Sequence, residues 1–157
     1  MKIPFAYRAA NEEDVGYILR SWLKTWRDEP RNKEMPNDLY YKQAHSMFKL
    51  ILNKFGAIIA CNPEDPSQIY AFAVAAYLPN DEWALFWIQT KSIYSHLGIG
   101  TALYNFIKGE RAKGPVVPFM RNKLRYLTQR LDLLDAPYMI AQLITMEVAQ
   151  PVTKLVE

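Results

Sequence analysis

Trp83-Ala-Leu-Phe-Trp-Ile-Gln-Thr-Lys-Ser-Ile-Tyr-Ser-His-Leu-Gly-Ile-Gly-Thr-Ala-Leu-Tyr-Asn-Phe-Ile107 decides how the rest of the chain is read. It opens apolar, passes through a short polar stretch with Gly98 and Gly100, and continues with Ile99, Leu103, Phe106 and Ile107 at helical spacing. A strand, a tight turn and an amphipathic helix are expected in that order. The first N–H groups of a helix have no partner within it, and the helix dipole adds positive character there. A strand that turns through glycine into a helix start is therefore an anion site, suited to phosphate or pyrophosphate. The glycines stand only as Gly98-Ile-Gly100, so this is not the dinucleotide fingerprint. No Gly-Lys-Ser/Thr follows, so it is not a P-loop.

Upstream, Ile3 to Arg8 reads as a first strand. Asn11-Glu-Glu-Asp14 is a helix start with an Asn cap and acids in the first turn. Val15, Ile18, Leu19, Trp22, Leu23 and Trp26 follow at helical spacing and read as core. Residues 28–38 are polar and broken by proline, hence a loop. A second helix is expected from Asn37 to about Lys54, closed by Gly56. Ala57 to Cys61 is a short strand, and Ile69–Leu78 with Glu82–Thr90 forms an antiparallel hairpin. Downstream, Gly114-Pro115 stops the third helix. Val116 to Met120 reads as a fifth strand and Arg121 to about Asp135 as a fourth helix, with Leu124, Leu127, Leu131 and Leu134 on one face. Tyr138 to Val148 reads as one or two closing strands. No repeat, low-complexity tract or second domain interrupts residues 1–157, so one domain is expected.

Composition narrows the classes. Half the residues are apolar and 22% are charged, which is ordinary globular usage. The lone Cys61 excludes an internal disulfide, and a cytoplasmic setting fits. No apolar run is long enough to span a bilayer, and Met1-Lys-Ile-Pro-Phe lacks the apolar stretch of a secretory signal, so no membrane partner is expected. The net charge of +3 is uneven: residues 1–90 carry 10 basic and 11 acidic side chains, residues 91–157 carry 9 and 5. The excess lies in Lys108, Arg111, Lys113, Arg121, Lys123, Arg125 and Arg130. Such a stretch suits a phosphorylated cofactor, nucleic acid or a solvated helix face.

The six residues Ser95-His-Leu-Gly-Ile-Gly100 resemble the Arg/Gln-x-x-Gly-x-Gly/Ala signature of the GCN5-related N-acetyltransferase (GNAT) superfamily. The element order β-α-α-β-β-β-α-β-α-β and the opening Tyr7-Arg-Ala-Ala-Asn-Glu-Glu-Asp14 are similar to that family as well, so the resemblance covers nearly the whole chain. It implies an α/β (α+β) fold with a central mixed, mostly antiparallel sheet flanked by about four helices. It also implies an N-acetyltransferase that moves an acetyl group from acetyl-CoA to an amine and uses no metal. In the family the cofactor arm lies against the fourth strand, which here places Ile88, Gln89 and Thr90. The turn Ser95, His96, Leu97, Gly98, Ile99, Gly100 and Thr101 would carry the pyrophosphate. Asn122 stands where many members have an Asn that bonds the cofactor arm.

The chain also departs from the pattern. Ser95 replaces the usual Arg or Gln, and Gln129 and Arg130 stand where a thiolate-protonating Tyr is often found. Tyr126 lies one turn earlier, and Tyr138 is a candidate acid. By position on the fourth strand, Glu82 is the candidate base, with Asp81 next. The acceptor stays open among a small amine, a protein N-terminus, a lysine and an aminoacyl-tRNA. So does a homodimer. Two alternatives stay open beside the enzyme: a catalytically weak or inactive CoA-binding or interaction module, and a nucleic-acid (tRNA)-associated protein using the basic stretch 108–130.

Overall fold

A computed structural model describes residues 3–148 and 150–157. The strands are β1 (Ala6–Ala9), β2 (Ala57–Cys61), β3 (Ile69–Tyr77), β4 (Trp83–Thr90), β5 (Val116–Val117) and β6 (Leu134–Asp135). They form one sheet in sequence order, antiparallel from β1 to β4 and parallel from β4 to β6. The helices are α1 (Glu12–Arg27), α2 (Asn37–Phe55), α3 (Ile99–Lys108), α4 (Asn122–Arg125), α5 (Thr128–Leu131) and α6 (Ile140–Thr145). This is the mixed α/β architecture expected from the sequence. Among the described residues no helix is long and apolar enough to cross a membrane.

β2 and β3 are buried at every position because both sheet faces are covered. One face packs on α1 and α2 through Trp22, Phe48, Phe72, Phe86, Trp87 and Phe119. The other packs on α3 and on the 3-10 helix Val152–Val156 through Ala73, Tyr77, Leu85, Ile99, Leu103 and Val152. α1 is fixed at its start. The side chain of Asn11 accepts from the Glu13 N–H at 2.9 Å, and the Asn11 N–H donates to Asp14 Oδ2 at 2.8 Å. Arg8 on β1 donates to both Asp14 oxygens, at 2.6 and 2.9 Å.

The C-terminal third differs from the sequence expectation. The fifth strand ends at Val117 rather than Met120, because Pro118 has no N–H to give to a ladder. The single helix expected over 121–135 is two separate turns, α4 and α5, closed by Asp132 in the left-handed region at φ 53°. Leu134, expected on the apolar helix face, is instead half exposed in β6. The closing strands expected over 138–148 are not formed. Pro137–Met139 is a 3-10 helix and Ile140–Thr145 is α6, whose Leu143 is fully buried in the core beneath α1 and α2. A short apolar run reads equally as strand or helix, and here Ile140, Leu143 and Ile144 follow the helical spacing.

Candidate active site

The site begins with an irregularity in β4. Val74 faces Trp87 and Ala75 faces Leu85, so Phe86 is an extra residue, a β-bulge. It turns both Phe86 and Trp87 toward α1 and α2. On its other side β4 pairs with β5 only at Ala84↔Val116. Beyond Leu85 that edge of β4 has no paired strand among the described residues, and its last residues, Ile88, Gln89 and Thr90, face a cleft.

The cleft has a volume of about 1060 Å³. Its floor is Ile88, Gln89 and Thr90, one end is the turn from Lys91 to Thr101, and its outer wall comes from α1 and the α4–α5 segment. The turn is built as an anion cradle. His96 and Gly98 both have positive φ, 64° and 80°. The first α3 bond runs from the Ala102 N–H to the Gly98 carbonyl at 3.0 Å, which leaves the N–H groups of Ile99, Gly100 and Thr101 outside the helix ladder. The two glycines serve different needs. At Gly98 a Cβ would meet nothing within 4 Å, so the left-handed backbone is what requires glycine. At Gly100 a Cβ would stand 2.9 Å from Thr90 Oγ1, so close packing of α3 on β4 is the constraint.

The cleft wall is cationic. Lys24, Lys91, Arg121, Lys123 and Arg130 line it, against Asp28 as the one lining carboxylate among the described residues. Of the rest of the basic stretch, Lys113 is exposed and the others are engaged elsewhere. The Lys108 ammonium donates to the Arg111 carbonyl at 2.6 Å, the Arg111 guanidinium lies over Tyr77 at 3.7 Å, and Arg125 pairs with Asp135 at 3.2 Å. Tyr17 and Tyr104 also line the cleft. Burial raises the pKa of both phenols. That of Tyr104 is pushed to about 12, with the charge of Asp132 adding to burial, and its hydroxyl donates to the Leu131 carbonyl at 3.0 Å.

Of the residues singled out in the sequence, Ile88, Gln89, Thr90, Ser95, His96, Gly98, Ile99, Gly100 and Thr101 come together on this cleft. Ser95 does so with its hydroxyl already donating to the Ser92 carbonyl at 2.7 Å. Leu97 turns into the α3-side core instead. Asn122 is exposed beside the cleft, and its N–H donates to Glu29 Oε1 at 2.6 Å. Glu82 lies in the exposed β3–β4 turn, at the opposite end of β4 from Thr90, and does not line the cleft. Tyr138 is 72% exposed on the 3-10 helix after β6 and does not line it either.

The sequence reading missed the α1 wall. Tyr17, Ser21, Lys24, Thr25 and Asp28 recur at helical spacing beside the apolar stripe, and this second periodic face was the available signal. It also left unassigned the role of Arg121. The Arg121 guanidinium lies over Trp87, 4.8 Å from the ring centroid, and its Nε is buried without a hydrogen-bond partner among the described residues.

No family model matches the sequence. No curated protein matches it either. Solved structures do match the fold. An acetyl transferase, so named, from Pyrococcus furiosus is 16% identical over 81% of this chain and 91% of its own, with a TM-score of 0.60. A structure from Clostridium acetobutylicum, named as an acetyltransferase with acetyl-CoA, is 20% identical over 84% and 91%, with a TM-score of 0.53. One named as a possible acetyltransferase, from Clostridium difficile 630, is 15% identical over 83% and 91%, also at 0.53. At these identities the likeness is one of fold.

Proposed function

We propose, from a chain that has the GNAT acetyltransferase fold, that this protein binds acetyl-CoA in the cleft beside β4 and transfers its acetyl group to an amine. One observation carries the reading. The open edge of β4 runs directly into a glycine turn whose unpaired N–H groups face the same cationic cleft. A ligand with amides along one part and phosphates at the other fits that order of groups.

In this reading the backbone of Ile88 to Thr90 pairs with the amides of the cofactor arm. The N–H groups of Ile99, Gly100 and Thr101 hold phosphate oxygens, with the α3 dipole in support. Lys24, Lys91, Lys123 and Arg130 offset the remaining negative charge. Bound acetyl-CoA supplies an activated acyl carbon, and the chain's main contribution is to hold that carbon and the amine in contact. Asp28 is placed to attract an approaching ammonium and take its proton through water. Neither Glu82 nor Tyr138 has a part in this scheme. Tyr17 lines the same cleft and brings a phenol hydroxyl that can hydrogen-bond the departing sulfur.

Calorimetry with acetyl-CoA, followed by thiol release with a panel of amines, tests the reading. Binding with release of CoA in the presence of an amine is the expected result. Binding without release on any amine favours the inactive CoA-binding module. Absence of binding sinks the reading, and salt-dependent binding to tRNA in its place turns it toward the nucleic-acid alternative.

A further inference from the structure

Arg121 has no partner in the acetyl-CoA scheme. It lines the cleft, yet its Nε is shut from water and unpaired among the described residues. Burial lowers its pKa, and the charge of Glu29 acts against that. The Glu29 carboxylate itself accepts from the Asn122 N–H at 2.6 Å and forms no ion pair with Arg121. A partly buried cation with open donors is costly until an anion meets it.

The cleft has two ends, and α1 runs between them. At the glycine-turn end the Lys91 ammonium lies over Tyr17, 4.9 Å from the ring centroid, and Tyr17 packs edge-on against Phe72, the residue opposite Gln89. The Arg121 guanidinium is fixed at the other end. It lies over Trp87 at 4.8 Å, and Trp87 packs edge-on against Trp26 with ring centroids 6.0 Å apart. The carbonyl of Met120, the residue before it, accepts from Arg31 at 3.0 Å. Tyr17 and Trp26 are nine residues apart on α1, about 13 Å along the helix axis. The order along the cleft is therefore phosphate cradle, open β4 edge, then Arg121. Turn, edge and Arg121 line one continuous cavity, so one ligand spans them. With the cofactor arm running from Thr90 toward Ile88, the acyl group comes next, level with Trp87. Acetyl ends in a methyl group and gives Arg121 nothing to pair with. The phosphates have the Lys91 ammonium and the N–H groups of Ile99, Gly100 and Thr101 at their own end.

We propose that the preferred acyl donor is a CoA thioester whose short acyl chain ends in a carboxylate, and that Arg121 binds that carboxylate. The inference rests on the acetyl-CoA reading and deepens it, acetyl-CoA being the shorter, uncharged form of this donor. A guanidinium pairs with a carboxylate through two parallel hydrogen bonds, which selects for the group as well as for its charge. The chemistry is otherwise unchanged. The acceptor ammonium first loses one proton to water or Asp28. Its nitrogen then bonds to the thioester carbon, the C–S bond breaks, and the second proton goes to the departing sulfur. The products are an N-acyl amine that keeps a free carboxylate, and CoA.

Calorimetry on the whole protein compares CoA, acetyl-CoA, butyryl-CoA, succinyl-CoA and glutaryl-CoA. Butyryl-CoA matches succinyl-CoA in carbon count and lacks the carboxylate. Succinyl-CoA or glutaryl-CoA is expected to bind at least about tenfold more tightly than both acetyl-CoA and butyryl-CoA. Arg121→Met is expected to abolish that difference with the affinity for CoA itself held within about threefold, and Arg121→Lys to keep part of it. Thiol release with the panel of amines is expected to follow the same order in kcat/KM. Equal or weaker binding of the two carboxylate donors overturns the inference and leaves the acetyl-CoA reading standing. So does an Arg121→Met variant that keeps the full preference, since another cation then supplies it. An Arg121→Met variant that loses affinity for CoA itself assigns Arg121 to the phosphates and overturns the inference too. A wild-type protein that binds none of the thioesters overturns both. If Arg121→Met does not fold, the wild-type ratio of succinyl-CoA to butyryl-CoA and its reduction in Arg121→Lys decide the matter.

Discussion

Gly100 faces Thr90 so closely that a Cβ on Gly100 would stand 2.9 Å from Thr90 Oγ1. The head of α3 is thereby pinned to the last residue of β4, and the turn between them is held at a fixed opening. Gly100→Ala should push the two elements apart and weaken CoA binding by about tenfold, the scale of a modest overpacking penalty. Thr90→Ala removes the obstructing oxygen, so Gly100→Ala/Thr90→Ala should recover most of the affinity. A double-mutant cycle by calorimetry checks this, and simple additivity of the two changes would show that the contact is not the constraint.

Gly98 should behave differently. Its backbone, at φ 80°, is what a side chain resists, while the space around it is open. Gly98→Ala is expected to cost about 1–2 kcal/mol of stability, and Gly98→Asn less, because Asn tolerates the left-handed region. Denaturant unfolding of the two variants gives the comparison. Equal costs would place the problem in packing and not in the dihedral.

Ser95 tests how far the turn follows the Arg/Gln pattern. Its hydroxyl is committed to the Ser92 carbonyl, so Ser95→Ala should change CoA affinity by less than about threefold. Ser95→Arg adds a guanidinium beside the anion cradle and should tighten binding by about tenfold at low salt, with less gain at high salt. Titrations at two ionic strengths would reveal a turn arranged otherwise if Ser95→Arg proved neutral in both.

Glu82→Gln should leave turnover within about threefold of wild type, because a group outside hydrogen-bond reach of the reacting atoms gives no general-base contribution. A pH–rate profile of the variant decides the point. A fall of about 10²-fold, partly restored at high pH, would return the base to Glu82.

The pair Arg8–Asp14 sets an acid limb of stability. Burial of Asp14 alone would raise its pKa, but the hydrogen bond from Arg8, the Asn11 N–H and the Arg8 charge together hold it below the usual value of 3.8. A carboxyl depressed in this way stabilises the fold above its unfolded pKa, and that stability is lost as pH falls through the lower folded value. Asp14→Asn should therefore be less stable at neutral pH by about 3 kcal/mol, since it leaves the half-buried Arg8 unpaired, and should show a flatter loss between pH ~4 and ~2. Melting temperatures across that range test the sign.

The first ninety residues of the fold were legible because their signals agree. Asn11 and Asp14 cap a strong apolar stripe, Gly56 ends α2, and Ile69–Tyr77 is too uniformly apolar to be anything but a covered strand. The glycine turn was legible for the same reason. After Val117 the signals compete. Pro118 shortens a strand, Leu124 to Leu134 carries a helical pattern that Asp132 interrupts, and Ile140 to Ile144 suits either strand or helix. The site divides along similar lines. Backbone-built parts, such as Gly98 and Gly100, announce themselves in sequence. The α1 wall and Arg121 depend on which elements meet across the sheet, and Phe86 acts through a bulge that adds one residue without changing composition.

That bulge has a further consequence, for solubility. A strand edge with open N–H and C=O groups invites pairing with another chain. The outer edges of this sheet are β1 and β6, only four and two residues long. A further open stretch, ending in Ile88, Gln89 and Thr90, lies inside the sheet, where β4 leaves β5 and α1 stands across the gap. The protein therefore keeps an adhesive length of backbone at the bottom of a cleft, within reach of a thin ligand and shielded from a second folded chain.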